Sequence, residues 1–164
     1  MAATYEPIAT TTLGSAQGSV TFSNISQDFT DLILIINAGN ASGAERDCLM
    51  RFNSDTGSNY SATYLYGTGS SAATGRNVNT TQGSAGYPLR PTLISTLITQ
   101  IQNYSNTTTY KTWLSRGNGA DSMVHSMVSL WRSTSAITSL EVFPSSAANF
   151  LSGSTFTLYG IKAA

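Results

Sequence analysis

The sequence predicts an all-β chain folded as a single antiparallel, jelly-roll-like β-sandwich. Three observations carry that reading. Short runs rich in Val, Ile, Thr, Tyr and Phe recur between clusters of Gly, Ser, Asn and Asp, the pattern of strands and their turns. No stretch presents a convincing amphipathic helical stripe. No unit returns at a fixed period, which argues against a propeller or solenoid. At 164 residues the chain fits one domain and can bury a sizeable core.

The elements follow in order. Residues 1–17, opening "MAATYEPIATTT", read as an extended N-terminal segment that serves as an arm or frays, with the sandwich spanning 18–164. "SVTFSNI" at 19–25 alternates, placing Val20 and Phe22 on one face and Thr21 and Ser23 on the other. "DLILIIN" at 31–37 is continuously apolar and fits a strand buried on both faces. "CLMRF" at 48–52 and "SATYLYG" at 61–67 flank a polar turn. Residues 67–87 lack periodicity and apolar content, so the region from 67 to about 90 reads as a long exposed loop. In "TLISTLITQIQNY" at 92–104, Leu93, Leu97 and Ile101 recur at helical spacing, but the abundance of β-branched Thr and Ile favours a strand ending near Tyr104. "SNTTT" at 105–109 then turns into a strand at 110–116, and "GNGAD" at 117–121 is a second turn. Strands at 125–132, 136–143 and 154–162 complete a set of about eight to ten, at the spacing of an antiparallel sandwich.

Composition narrows the function. Only 10% of residues are charged, against about 25% in ordinary soluble domains. The 8 basic and 8 acidic residues cancel, so there is no basic stripe to track nucleic acid. A neutral surface rich in Ser, Thr, Asn and Gly promotes association and suits a component covered by its neighbours. The one cysteine, Cys48, cannot form an intrachain disulfide, and the first residues lack a basic and then apolar leader. "LILII" at 32–36 is too short to cross a bilayer. The expectation is synthesis in a cytoplasm without membrane association.

No residue declares a chemistry. His125 is the only histidine, so a Ser/His/Asp triad would need it, with Asp121 as one possible acid; yet there is no GxSxG elbow. Its alternation with Met123, Met127 and Trp131 fits a strand histidine facing a partly buried layer better. One His and one Cys cannot build a zinc site. Asp28, Asp31, Glu45, Asp47 and Glu141 sit at strand starts, turns or within strands, without the paired pattern of a glycosidase. Cys48 reads as a small buried hydrophobe. "GTGSSAATG" at 67–75 lacks the lysine of a phosphate loop. Tyr5, Tyr60, Tyr64, Tyr66, Tyr87, Tyr104, Tyr110 and Tyr159 offer platforms for sugars or bases, with core or subunit interface as the default.

"RFNSDTGSNYS" at 51–61 places Asn53, Asp55, Gly57 and Asn59 at alternate positions, as in calcium loops. An EF-hand counted from Asn53 needs glycine sixth and glutamate twelfth, where Ser58 and Tyr64 stand. An Asx-type turn between strands is the better reading, with a weak cation at 53–59 left open. The sequence therefore assigns no catalytic, cofactor-binding or metal residue.

Four blocks carry a family resemblance: "RFNSDTGSNYS" at 51–61, "NYSNTTTYKTWLSR" at 103–116, "LWRSTSAITSL" at 130–140 and "SGSTFTLYGIKAA" at 152–164. They resemble small β-sandwich structural proteins of tailed phages, cyanophages included, among them capsid cement (decoration) proteins and tail-associated proteins. The resemblance implies a non-enzymatic virion protein, made in the host cytoplasm. As a cement protein it would act as a homotrimer or homodimer, bind the major capsid protein and clamp neighbouring subunits of the head. The alternative within the resemblance is a tail-fibre or baseplate module binding host-surface glycans through its tyrosines and long loop. A phage-borne glycosidase, relying on an acid such as Glu141, is a third and weaker reading.

Overall fold

The computed structural model describes residues 4–119 and 121–162 and is all-β, with no helix among them. Twelve strands run in chain order: β1 (Tyr5–Thr12), β2 (Val20–Phe22), β3 (Asp31–Asn40), β4 (Arg46–Phe52), β5 (Tyr60–Gly67), β6 (Ala72–Thr80), β7 (Gly83–Pro91), β8 (Ser95–Gln102), β9 (Lys111–Gly119), β10 (Met123–Trp131), β11 (Leu140–Pro144) and β12 (Thr155–Ile161).

Hydrogen bonds link all twelve into one open sheet with two arms. The larger arm runs β1-β12-β3-β8-β9-β10-β5-β6 and is antiparallel throughout. The smaller arm, β2-β11-β4-β7, is antiparallel too. They join through a short parallel contact in which Gly39 and Asn40 of β3 pair with Arg90 and Pro91 of β7. β7 lies across β8, β9 and β10, and the indole N–H of Trp113 on β9 donates to the Ser84 carbonyl on β7 at 2.8 Å. The arms thus face each other as the layers of a sandwich, and the expected fold class holds.

Alternation decides what enters the core. On β9 every second residue is buried, from Lys111 and Trp113 to Gly119, with exposed residues between. Leu32, Leu34 and Ile36 of β3 are wholly buried, while Ile33 on the outer face is 6% exposed, flanked in register by Tyr159 and Gln100. "LILII" is therefore apolar on both faces because β3 lies inside the large arm, with strands on either side. Each large apolar side chain removed from water contributes about 1.5–3 kcal/mol.

Two expectations are corrected. The long loop at 67–90 is a pair of strands, β6 and β7. β6 is an edge strand with both faces mostly exposed, so its hydrogen bonds to β5 need no apolar alternation. β7 is buried yet built of small residues, because large rings press on it: a Cβ at Gly83 would meet the Trp113 ring at 2.4 Å. The second correction concerns the N-terminal segment. Residues 5–12 pair with β12 across seven register positions and belong to the sandwich, so its start moves from 18 to the beginning of β1. Residues 1–3 of the expected arm lie outside the described residues.

Candidate functional site

The larger arm is wider than the smaller one. β6, mostly exposed on both faces, overhangs the smaller arm, and between β10, β5 and β6 on one side and β4 and β7 on the other lies a cleft of about 560 Å³. Its floor is the inner face of β5 and β10, where alternation brings Ala62, Tyr64 and Tyr66 together with Met123, His125 and Met127. β6 and its turn supply Asn77, Thr80 and Gln82. The opposite wall comes from β7 and β4, with Ser84, Tyr87, Asp47 and Leu49.

His125 is the centre of this floor. It stands directly opposite Tyr66 in the β5–β10 register. The Tyr64 ring stacks on the imidazole at 5.3 Å and 27°, Tyr66 lies at 6.4 Å and 13°, and Tyr87 approaches edge-on at 5.8 Å and 60°. The residue is only 5% exposed, and its Nδ1 is buried without a hydrogen-bond partner. Burial lowers its pKa from the ordinary 6.5, so the ring is neutral at pH 7. The Tyr64 ring is also pinned from its other side. Gly75 of β6 pairs with it, and a Cβ there would meet the ring at 2.4 Å, so the tyrosine covers the glycine.

The walls carry charge of one sign. Among the described residues Asp47 is the only carboxylate lining the cleft, and no lysine or arginine lines it. Although Asp47 is exposed as a residue, surrounding protein desolvates its carboxyl and raises the pKa, and its own backbone hydrogen bond opposes that rise. At one end Tyr87 Oη donates to Glu45 Oε2 at 2.8 Å, and Arg90 Nε meets Glu45 Oε1 at 3.1 Å. Desolvation and then that hydrogen bond push the Tyr87 pKa upward.

The remaining candidates are placed elsewhere. Asp121 does not orient His125; both its oxygens accept from Arg90, Nη1 to Oδ1 at 2.5 Å and Nη2 to Oδ2 at 3.0 Å. Asp28 accepts from Ser26 Oγ at 2.6 Å, Asp31 accepts from the Asn103 N–H at 2.7 Å, and Glu141 lies 3.8 Å from Arg51. Each acid thus serves its own local partner. Cys48 is wholly buried, and desolvation, with the nearby Asp47 charge, raises its thiol pKa. Tyr159 is half-buried on β12 opposite Ile33, and the other seven tyrosines separate into three groups. Tyr60 and Tyr104 are core, Tyr64, Tyr66 and Tyr87 line the cleft, and Tyr5 and Tyr110 are more than half exposed.

In the turn at 53–59 the side-chain oxygens of Asp55 and Asn53 accept N–H donors. Asp55 Oδ1 accepts from the Gly57 N–H at 2.8 Å, and Oδ2 accepts from Trp131 Nε1 at 2.6 Å and Asn59 Nδ2 at 2.9 Å. Asn53 Oδ1 accepts from the backbone of Thr138 and Ser139. The letters of a calcium loop are used here to fasten a turn to β10 and to the segment before β11. Among the described residues no group of three or more His, Cys, Asp or Glu is arranged to hold a metal ion.

Sequence reasoning singled out His125 and the tyrosines, but not Asn77, Thr80 and Gln82, which lay in the supposed loop. No sequence signal marked them, because β6 pairs with β5 and β7 with β4 and β3, partners distant from the 81–82 connection. Comparison with protein-family models, with curated proteins and with solved structures finds no match.

Proposed function

We propose that this protein is a non-enzymatic structural subunit of a phage virion, most specifically a cement protein that binds the major capsid protein and stabilises the head. The observation that carries the reading is the outer face of the large arm. On three adjacent strands, Leu114 stands opposite Val128 and Leu65 lies diagonal to both Val124 and Val128. These four side chains are 47% to 62% exposed. Four large apolar side chains exposed together around Ser126 on one sheet face are the mark of a surface that a partner covers. The neutral, hydroxyl-rich character of the chain agrees with that, since a lattice subunit keeps little free surface.

The winding supports the same reading. β1 to β4 alternate between the arms, β7 follows β4 in the smaller one, and β8, β11 and β12 resume the alternation, giving the orders 1-12-3-8 and 2-11-4-7. We read this as a jelly roll to which the β5–β6 and β9–β10 strand pairs have been added, an architecture common in capsid proteins and lectins. Fold alone does not assign function, so the test is binding. Expanded, cement-free heads should take up the protein stoichiometrically and then withstand higher temperature, because each copy adds buried interface between capsid subunits. No uptake at saturating protein removes the cement role.

A further inference from the structure

The cleft under the overhang has no part in that lattice role, since it opens between the arms and the apolar patch lies on the opposite face of β5 and β10. The geometry points to a neutral saccharide as its ligand, with Tyr66 as the stacking platform. The inference does not rest on the virion reading and stands or falls separately.

Four features select this chemistry. First, the space, about 560 Å³, falls within the 300–1,000 Å³ typical of small-molecule sites. Second, Tyr66 is partly exposed and lines the floor next to the stacked Tyr64 and His125 rings, so it brings an aromatic surface to the cleft. The C–H face of a pyranose packs on such rings as other apolar surfaces do. Third, the polar groups around them include the amides of Asn77 and Gln82. These donate and accept in pairs, as a sugar's vicinal hydroxyls require. Fourth, no cationic side chain lines the cleft while Asp47 does. That disfavours sialylated, sulfated or phosphorylated ligands, and nucleic acid with them, because each brings an anion that needs a Lys or Arg partner.

His125 fits the arrangement. A buried imidazole without a partner for Nδ1 costs stability, and in a purely structural layer an apolar residue would serve better. Its neutral ring holds Tyr64 and Tyr66 in their stacked arrangement and adds no charge to the floor. His125 is thus a positioning residue, and Tyr66 and Gln82 are the expected contacts.

The test uses the intact protein and two probes. An array of neutral oligosaccharides, with their sialylated and sulfated counterparts, identifies the sugar. Amide-resolved NMR titration with the best neutral hit, or with methyl hexosides at tens of millimolar, then locates it. Shifts should cluster at Tyr64, Tyr66, Gln82 and His125. Tyr66→Ala should weaken binding at least tenfold, Gln82→Ala severalfold, and Leu65→Ser, which alters the opposite face, should leave it unchanged. Should Tyr66→Ala fail to fold, Gln82→Ala, at the β6–β7 turn, carries the test. The inference is overturned if no neutral saccharide moves these resonances, if only acidic glycans bind, or if both cleft variants bind like the parent. Head uptake should be unaffected by Gln82→Ala, so failure of the virion role and failure of the cleft are told apart.

Discussion

Strands β5 and β10 pair from Tyr60–Trp131 at one end to Gly67–Val124 at the other, and the two ends treat aromatic rings differently. At the Tyr60 end the rings are core. Phe52 packs edge-on against Trp113 at 5.1 Å, and Tyr60 stacks on Trp131 at 6.3 Å and 17°. Every polar tip there is satisfied: Trp131 Nε1 donates to Asp55, and Tyr60 Oη accepts from the Phe52 N–H and donates to the Asp55 carbonyl. Desolvation pushes the Tyr60 phenol up to about 12. At the other end Tyr64, Tyr66 and His125 stack just as closely, but they face a cleft, and His125 Nδ1 has no partner. The difference lies in what covers them. Phe52 of β4 seals the first end, whereas at the second only Tyr87 of β7 reaches His125 and a cleft is left beside it. The same residue types at the same alternation become a core in one place and the walls of a site in the other.

Substitutions can break that contrast, beginning with the sealed end. Trp131→Ala leaves a cavity beside Phe52 and Tyr60 and removes one of the three N–H donors to the Asp55 carboxylate. It should cost about 3–5 kcal/mol, read from chemical denaturation midpoints. Tyr66→Ala, at the open end, should cost well under half as much in the same assay. Equal losses would mean that the two ends are packed alike.

Asp55 comes next. Partial desolvation raises its pKa, but hydrogen bonds from Trp131, Asn59 and Gly57 outweigh that and hold it below the ordinary 3.8. Its contribution is therefore complete above pH 3.8 and disappears as pH falls through the lower, folded value. Asp55→Ala should cost about 2 kcal/mol at pH 7. Asp55→Asn should flatten the stability profile below pH 4, which unfolding at a series of acidic pH values would reveal.

His125 sets a smaller effect at higher pH. Because burial lowers its folded pKa, the unfolded chain binds the proton more readily. Stability is full above pH 6.5 and declines as pH drops through the folded pKa. His125→Phe should reduce the loss between pH 7 and 5, measured by thermal unfolding at both. An unchanged pH slope would show that protonation of His125 is not opposed by folding.

The smallest effect on stability belongs to the outer face. Leu65→Ser combined with Val128→Ser should shift the unfolding free energy by no more than about 0.5 kcal/mol per site. Head uptake should nevertheless fall, since these side chains are offered to a partner and not to the core. Loss of stability without loss of uptake would reverse that assignment.

Much of the strand layout was legible beforehand. β3, β5, β8, β9, β10 and β12 carry alternation or β-branched runs, and their positions follow from side-chain spacing alone. β8 was the ambiguous case, and its residues Ser95, Leu97, Thr99 and Ile101 do face the core at alternate positions. β6 and β7 were hidden for opposite reasons. β6 is an edge with little to bury. β7 is buried against Trp113, Leu97 and the β9 backbone, where bulk is excluded: a Cβ on Gly117 would meet the Tyr87 carbonyl at 1.9 Å. A buried strand of small residues looks like a loop to any reading based on hydrophobic content.

The site was legible only as ingredients. His125, its neighbouring methionines and the tyrosines stood out as types, and the turn at 53–59 failed the calcium-loop count before its fastening to Trp131 was known. Sequence by itself determined the all-β class, the low-charge surface and most strand positions, because strand periodicity and turn chemistry are local properties of the chain. Tertiary structure alone decided which tyrosines are core and which line the cleft, and that Asp121 serves Arg90 and not His125. Those outcomes depend on pairings between distant segments, such as β10 with β5 and β4 with β7. No local pattern encodes where one layer of a sandwich stops covering the other.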